Sequence, residues 1–201
     1  MRAISYDSYL EFTAQCQASK CVYDHISDCI ATKNFTDVGQ NLNGRVDEKE
    51  FNLTFTTVEE TRKMVTDWFE LEINESDEKV IKDFSRMKAT MIGYLYQMVW
   101  ADTHRVGCGR SVKENMYYMM ICNYGPRGLK VTKALGKFGP PCSRCPEKPE
   151  ELSCNSVYEG LCGEIDESHY NLTISEAVKA FDNELSTKLT TMCFVVCILI
   201  N

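Results

Sequence analysis

The sequence lacks the excess of positive charge that binding to nucleic acid requires. Its 22 lysine and arginine residues are outnumbered by 29 aspartate and glutamate residues, and the formal net charge is −7 at pH 7. Such a surface repels a phosphate backbone, so we expect no nucleic-acid partner. Internal repeats and low-complexity tracts are also lacking, and an apolar fraction of 44% is typical of an ordinary globular protein.

Long apolar runs are lacking as well. The tail MCFVVCILI, residues 192–200, is shorter than the run of about 20 residues that spans a membrane. It is compatible with the truncated start of a span, with part of a lipid-anchor signal, or with a segment that covers the core. At the other end, MRAISYDSYL has no apolar stretch of the signal-peptide kind. We therefore expect either a natural start upstream of Met1 or unconventional export.

Cysteine, in contrast, is abundant. There are eleven cysteines, and four of them lie between positions 142 and 162. This density is typical of disulfide-bonded proteins from an oxidising compartment, and the odd number leaves at least one thiol without an intramolecular partner. Four N-glycosylation acceptors agree with export: Asn34, Asn52, Asn74 and Asn171. We therefore expect a secreted, extracellular glycoprotein.

The hydrophobic periodicity predicts helices around a small antiparallel hairpin, which is an α+β domain. The predicted helices span residues 5–25, 57–71, 91–100 and 171–185, the predicted strands span 106–110 and 117–122, and residues 30–55 are predicted to be loop. Ser5 or Asp7 can cap the first helix. The predicted buried face of the second helix consists of Met64, Val65, Trp68 and Leu71. Capping boxes are expected at Thr57 with Glu60 and at Thr173 with Glu176.

Two segments resemble the signatures of the CAP superfamily, which includes cysteine-rich secretory proteins, venom antigen-five allergens and plant pathogenesis-related proteins. They are GYLYQMVWADTHRVGCG, residues 93–109, and MMICNYGPRG, residues 119–128. The matching positions are Gly93, Gln97, Met98, Val99, Trp100, Thr103, Val106, Gly107, Cys108, Cys122, Asn123, Tyr124, Pro126 and Gly128. The segments CVYDH and VGQNL also look like family segments. The resemblance covers about residues 1–135 and implies an α-β-α sandwich in a venom-allergen-like member.

The resemblance continues into GPPCSRCPEKPEELSCNSVYEGLC, residues 139–162, which looks like the hinge region that follows many CAP domains. It implies three disulfides: Cys108–Cys122, Cys142–Cys154 and Cys145–Cys162. It also implies that the first helix of the CAP domain is missing, which leaves Cys21 and Cys29 free or paired with Cys16, Cys193 or Cys197. The expected organisation is a CAP domain over 1–135, a cysteine-rich hinge-like region over 136–162, and a helix with an apolar tail over 163–201.

Many CAP domains carry a cleft in which two histidines and two acidic residues can hold a divalent metal. Carried over residue by residue, these positions fall on His25, Gln40, Leu71 with its neighbours Glu70 and Glu72, and Tyr94. A glutamine has no charge to attract a cation, and a tyrosine hydroxyl titrates near pH 10. We therefore expect no metal, no other cofactor and no catalytic residue. His25 is expected to be a hydrogen-bonded cleft residue, and His104 and His169 are expected at the surface.

Two classes of function remain. The resemblance implies a secreted, non-enzymatic binding protein whose partner is a lipid, a sterol, or a host or cell-surface protein. The alternative is a metal-dependent hydrolase with a degenerate cleft, for which His25 with Glu70 or Glu72 is the residual pair. A third, structural possibility is that the C-terminal tail tethers the domain to a membrane.

Overall fold

The computed structural model describes residues 1–20, 22–25, 34–45, 58–74, 76, 79, 82, 93–113, 117–131, 133–147 and 151–168. Their elements, in chain order, are β1 (Ser5–Tyr6), α1 (Ser8–Ser19), β2 (Gly39–Arg45), α2 (Val58–Ile73), α3 (Tyr94–Met98), β3 (Arg105–Lys113) and β4 (Tyr117–Gly125). The strands form one mixed sheet in the order β1-β3-β4-β2. β1 runs parallel to β3, whereas β3–β4 and β4–β2 are antiparallel.

Helix α1 lies on one face of the sheet. Asp7 is its N-cap, because its carboxylate accepts hydrogen bonds from the backbone N–H groups of Tyr9 and Leu10, both at 3.0 Å. The buried cluster between α1 and the sheet consists of Ala14, Ala18, Leu42, Met119 and Ile121. Small alanines on α1 therefore allow the helix to approach the sheet closely.

Steric contact explains why residues 107 and 109 are glycines. A Cβ at Gly107 would overlap the backbone nitrogen of Glu11, and a Cβ at Gly109 would overlap that of Gln15. Both glycines belong to β3, and both clashes fall on α1. The backbone of α1 therefore rests directly on β3, which only glycine permits at these two positions.

Helices α2 and α3 cover the opposite face, which completes an α-β-α sandwich. The core on that side consists of Met64, Trp68, Met120, Cys122 and Tyr124. Tyr124 is buried, and burial raises the pKa of its hydroxyl, to which Asn41 donates at 3.4 Å. A third cluster of Tyr96, Trp100 and Leu135 supports the end of α3. None of the helices in the described ranges is long and apolar enough to cross a bilayer.

Five sequence-based expectations need correction. The sheet is mixed, because Ser5–Tyr6 forms a parallel strand and α1 begins only at Ser8. Residues 39–45 form β2 within the predicted loop, because their partner β4 supplies hydrogen bonds that local periodicity does not reveal. α1 ends at Ser19, ahead of residue 25, and α3 is shorter than residues 91–100. Leu71 is 61% exposed, since α2 turns that position away from Met64 and Trp68.

The cysteine-rich region is fastened to the main domain. Ala3 N donates to Cys162 O at 2.9 Å and Cys162 N donates to Met1 O at 2.8 Å. Arg105 also forms an ion pair with Asp166 at 2.8 Å. The disulfides are Cys108–Cys122, Cys142–Cys154 and Cys145–Cys162, which are the pairs that the family resemblance implies. Cys16 is disulfide-bonded too. The pairing of Cys21, Cys29, Cys193 and Cys197, the predicted capping boxes, and the predicted helix and tail after residue 168 lie outside what the structure describes.

Candidate functional site

The first two cleft positions meet at the edge strand β2. His25 is exposed, and its Nδ1 lies 2.7 Å from Oε1 of Gln40. Gln40 projects toward α1, where its Nε2 donates to Gln17 Oε1 at 2.7 Å and to Asn123 Oδ1 at 2.8 Å. Every hydrogen-bonding atom of the Gln40 side chain is therefore occupied by the protein itself.

The network continues into the interior between α1 and the sheet. Gln17 and Asn123 are both fully buried, and Asn123 Nδ2 donates to Thr13 Oγ1 at 2.9 Å. The Thr13 hydroxyl donates in turn to the backbone oxygen of Leu10 at 3.0 Å. Buried polar groups of this kind stay stable only when each is paired, so this chain of amides is a structural element of the fold.

The fourth cleft position, Tyr94, lies beside the next residue of β2. Neighbouring side chains on a strand point to opposite faces, and Asn41 Nδ2 donates to the backbone oxygen of Tyr94 at 3.2 Å. The Tyr94 ring packs on Trp68, with ring centroids 5.9 Å apart. Burial raises the pKa of the Tyr94 hydroxyl, and a hydrogen bond with Tyr23 adds to the shift. Tyr94 therefore carries a proton at neutral pH.

The structure distinguishes the two acidic residues that flank Leu71. Glu70 is exposed on α2, whereas Glu72 is 5% exposed. The carboxylate of Glu72 accepts hydrogen bonds from the backbone N–H groups of Gly93 at 2.6 Å and Leu95 at 2.9 Å. Gly93 is the left-handed N-cap of α3 and has no side chain to cap the helix, so Glu72 takes over that role.

These residues do not fit a divalent metal. Gln40 and Glu72 use their oxygens in hydrogen bonds within the protein, and Tyr94 keeps its proton. Of these residues His25 alone would remain as a ligand, whereas a catalytic zinc needs three protein ligands around one point. Among the described residues, no three histidine, cysteine, aspartate or glutamate side chains are grouped as metal ligands.

His104 differs from the surface residue that the sequence suggests. It is half-buried, its Nδ1 lies 3.0 Å from the backbone oxygen of Asp102, and its ring meets Phe35 edge-on at 5.9 Å. Burial lowers the pKa of His104, and the charges of Arg2 and Arg105 lower it further. His169 lies outside the described residues.

Two of the four predicted glycosylation acceptors lie among the described residues. The side chains of Asn34 and Asn74 are exposed, as a glycan requires, and both asparagines remain predicted acceptors. Asn52 and Asn171 lie outside the described residues.

A cavity of about 860 Å³ lies where the cysteine-rich region meets the main domain. Arg2, Lys137 and Arg144 line it together with Asp102 and Glu147, so its walls carry both signs of charge. This mixed lining favours no single class of ligand.

Sequence reasoning missed the buried part of the network, namely Thr13, Gln17 and Asn123. Asn123 belongs to the second signature segment, and that was the available signal. Gln17 gave a weaker signal, because a glutamine on the apolar face of α1 has to find a buried partner.

A family model described as the cysteine-rich secretory protein family, CAP, matches residues 1–124. "Venom allergen 5" of Tityus serrulatus is 35% identical over 179 residues, which cover 81% of this chain and 39% of that protein. The chain spans about two fifths of the length of this relative and of two further curated relatives that it matches.

Solved structures agree on the fold. Na-ASP-1 has a TM-score of 0.64 and 25% identity, with 81% of this chain and 38% of that chain covered. NaASP2, whose crystal structure was determined with Zn²⁺, has a TM-score of 0.57 and 26% identity, with 72% of this chain and 71% of that chain covered.

Proposed function

The chain belongs to the cysteine-rich secretory protein family, CAP, and from this premise we propose that it is a secreted, non-enzymatic binding protein. Its proposed partner is a lipid or sterol, or else a host or cell-surface protein. The observation that carries the proposal is that the polar groups of the cleft already bind one another: His25 to Gln40, and Glu72 to the start of α3. Turnover needs an activated nucleophile or a metal-bound water, and these residues supply neither.

Secretion is supported by the family and by the cross-links. Matched relatives include venom proteins of a scorpion and centipedes, and the structure holds three bridges within and after the sheet. Each bridge contributes about 2–4 kcal/mol of stability, and such bridges persist in oxidising compartments.

Binding of a lipid is supported by apolar surface on α2. Phe69, Leu71 and Ile73 are 42%, 61% and 41% exposed. Covering these half-exposed side chains contributes about 1 kcal/mol each, so they can add about two orders of magnitude in affinity without any ionised group. Phe69 and Ile73 lie one helical turn apart and share a face, which suits an extended acyl chain or a sterol ring system.

The test uses the whole chain, refolded with its disulfides intact. Native mass spectrometry with cholesterol or palmitate is expected to show one lipid per chain at micromolar ligand. Replacing Phe69 and Ile73 by serine should weaken binding about tenfold or more. Val131→Ser, in the loop after β4, removes an exposed apolar side chain elsewhere and should leave binding unchanged. If no lipid binds at micromolar ligand, the proposal of a lipid partner is wrong, and a host or cell-surface protein remains as the proposed partner.

A further inference from the structure

Two backbone carbonyl groups determine the direction of every hydrogen bond between α1 and His25. A carbonyl oxygen only accepts, so the Thr13 hydroxyl donates its single proton to Leu10 O, at 3.0 Å. Asn123 must then present its amide nitrogen to Thr13 Oγ1, at 2.9 Å. The amide oxygen of Asn123 consequently faces Gln40.

The second carbonyl acts through Gln17. Asp24 O accepts from Gln17 Nε2 at 2.7 Å, which turns Gln17 Oε1 toward Gln40. Gln40 Nε2 thus lies between two amide oxygens, at 2.7 and 2.8 Å, and both its protons are used. Inverting the Gln40 amide would place oxygen against oxygen on both sides, so only one orientation satisfies the network.

The orientation of Gln40 determines the position of the proton on His25. Gln40 Oε1 faces His25 Nδ1 at 2.7 Å and can only accept there. We infer that His25 is held as the Nδ1–H tautomer and that its Nε2 is an acceptor offered to a hydroxyl group of a neutral ligand. The His25 side chain is exposed, and the described part of the chain provides no hydrogen-bond partner for Nε2. The tautomer of an imidazole follows the hydrogen bond made by its other nitrogen, which is the relation found here.

This arrangement selects the ligand by hydrogen-bond direction. The lone pair on Nε2 attracts an O–H donor and disfavours an ether, a carbonyl or a carboxylate, all of which only accept. Tyr94 remains protonated, so it adds no anionic acceptor. The existence of a ligand rests on the proposed binding role, and the tautomer adds which chemical group that ligand presents to His25. The tautomer itself stands independently of it.

The tautomer is measured in the unliganded protein. With ¹⁵N-labelled histidine at about pH 8, where free imidazole is neutral, we expect His25 to show a protonated Nδ1 and a deshielded, unprotonated Nε2. Gln40→Leu should shift His25 toward the Nε2–H form. Gln15→Leu is the matched control, because Gln15 on α1 bonds to the Arg110 backbone and not to Gln40. A wild-type His25 protonated on Nε2 overturns the inference, even if Gln40→Leu does not fold.

The ligand class is tested on the same resonance. Cyclohexanol represents an apolar alcohol, glucose represents a polyol, and methoxycyclohexane is the matched ether without a donor. A saturable shift of the His25 Nε2 signal with cyclohexanol or glucose, and not with the ether, supports the inference. The alcohol that saturates at the lower concentration shows whether the cleft prefers an apolar alcohol or a polyol. Equal shifts with alcohol and ether, or no shift with either alcohol, overturn it. Lipid binding through Phe69 and Ile73 is scored separately by mass spectrometry, so the two proposals can fail independently.

Discussion

An acidic residue at position 40, which the family resemblance implies there, is expected to destabilise this protein. In Gln40→Glu, a carboxylate oxygen takes the place of Nε2 and faces the amide oxygens of Gln17 and Asn123, 2.7 and 2.8 Å from the original nitrogen. Neither amide can turn round, because Gln17 also bonds to Asp24 O and Asn123 also bonds to Thr13. Two hydrogen bonds are lost and two acceptors are left unpaired. We expect a loss of about 2–4 kcal/mol in the free energy of unfolding.

The assay is urea denaturation followed by circular dichroism, with the disulfides intact. Asn34→Asp is the control, because it adds the same charge at an exposed position and should change stability by less than about 0.5 kcal/mol. Acid should reduce the defect of Gln40→Glu, since a protonated carboxyl group regains one donor. If Gln40→Glu is as stable as the wild type at neutral pH, the orientation assigned to the buried amides is wrong.

Three further substitutions test other contacts. Glu72→Gln should cost about 1–3 kcal/mol in the free energy of unfolding, because an amide NH₂ then faces a backbone donor, whereas Glu70→Gln should be neutral. The pKa of His104 is lowered in the folded state, so the stability present above the unfolded pKa of about 6.5 is lost as pH falls through the folded value. His104→Asn should flatten this pH dependence in denaturant titrations. Asp166→Asn removes the ion pair with Arg105 and should speed limited proteolysis of the cysteine-rich region.

Each of these predictions has a result that contradicts it. Equal stability of the Glu72 and Glu70 variants would mean that the start of α3 does not depend on Glu72. An unchanged pH profile in His104→Asn would remove that residue as a source of acid sensitivity. For Asp166, the matched control is Glu167→Gln, which removes an adjacent exposed acid. If both variants are cleaved at the same rate, the ion pair does not hold the region in place.

Some of the fold follows from the sequence because its signals are local. Asp7 was predicted as a possible cap of the first helix, and the structure places it there. The hairpin strands and the buried Met64 and Trp68 follow from periods of two and 3.6 residues. β2 did not follow, since GQNLNGR lacks β-branched residues and becomes a strand only by pairing with β4.

In the cleft, too, the sequence predicts which residues take part but not how the fold arranges them. Family signatures located His25, Gln40 and Tyr94, but they did not reveal that Gln40 faces the buried amides beneath α1 while its neighbour Asn41 contacts Tyr94. The alternation of side chains along β2 decides this, and it becomes visible only once Gln40 and Asn41 are known to lie in a strand. The choice between Glu70 and Glu72 likewise depends on the distant backbone of Gly93.

Zinc titration of the refolded whole chain tests the central claim most directly. The cleft oxygens are committed to the protein's own hydrogen bonds, so isothermal titration at neutral pH should reveal no stoichiometric zinc site at micromolar metal. His25→Ala should then leave the titration unchanged. One zinc bound per chain, lost in His25→Ala, would contradict the account and bring back metal-dependent hydrolysis.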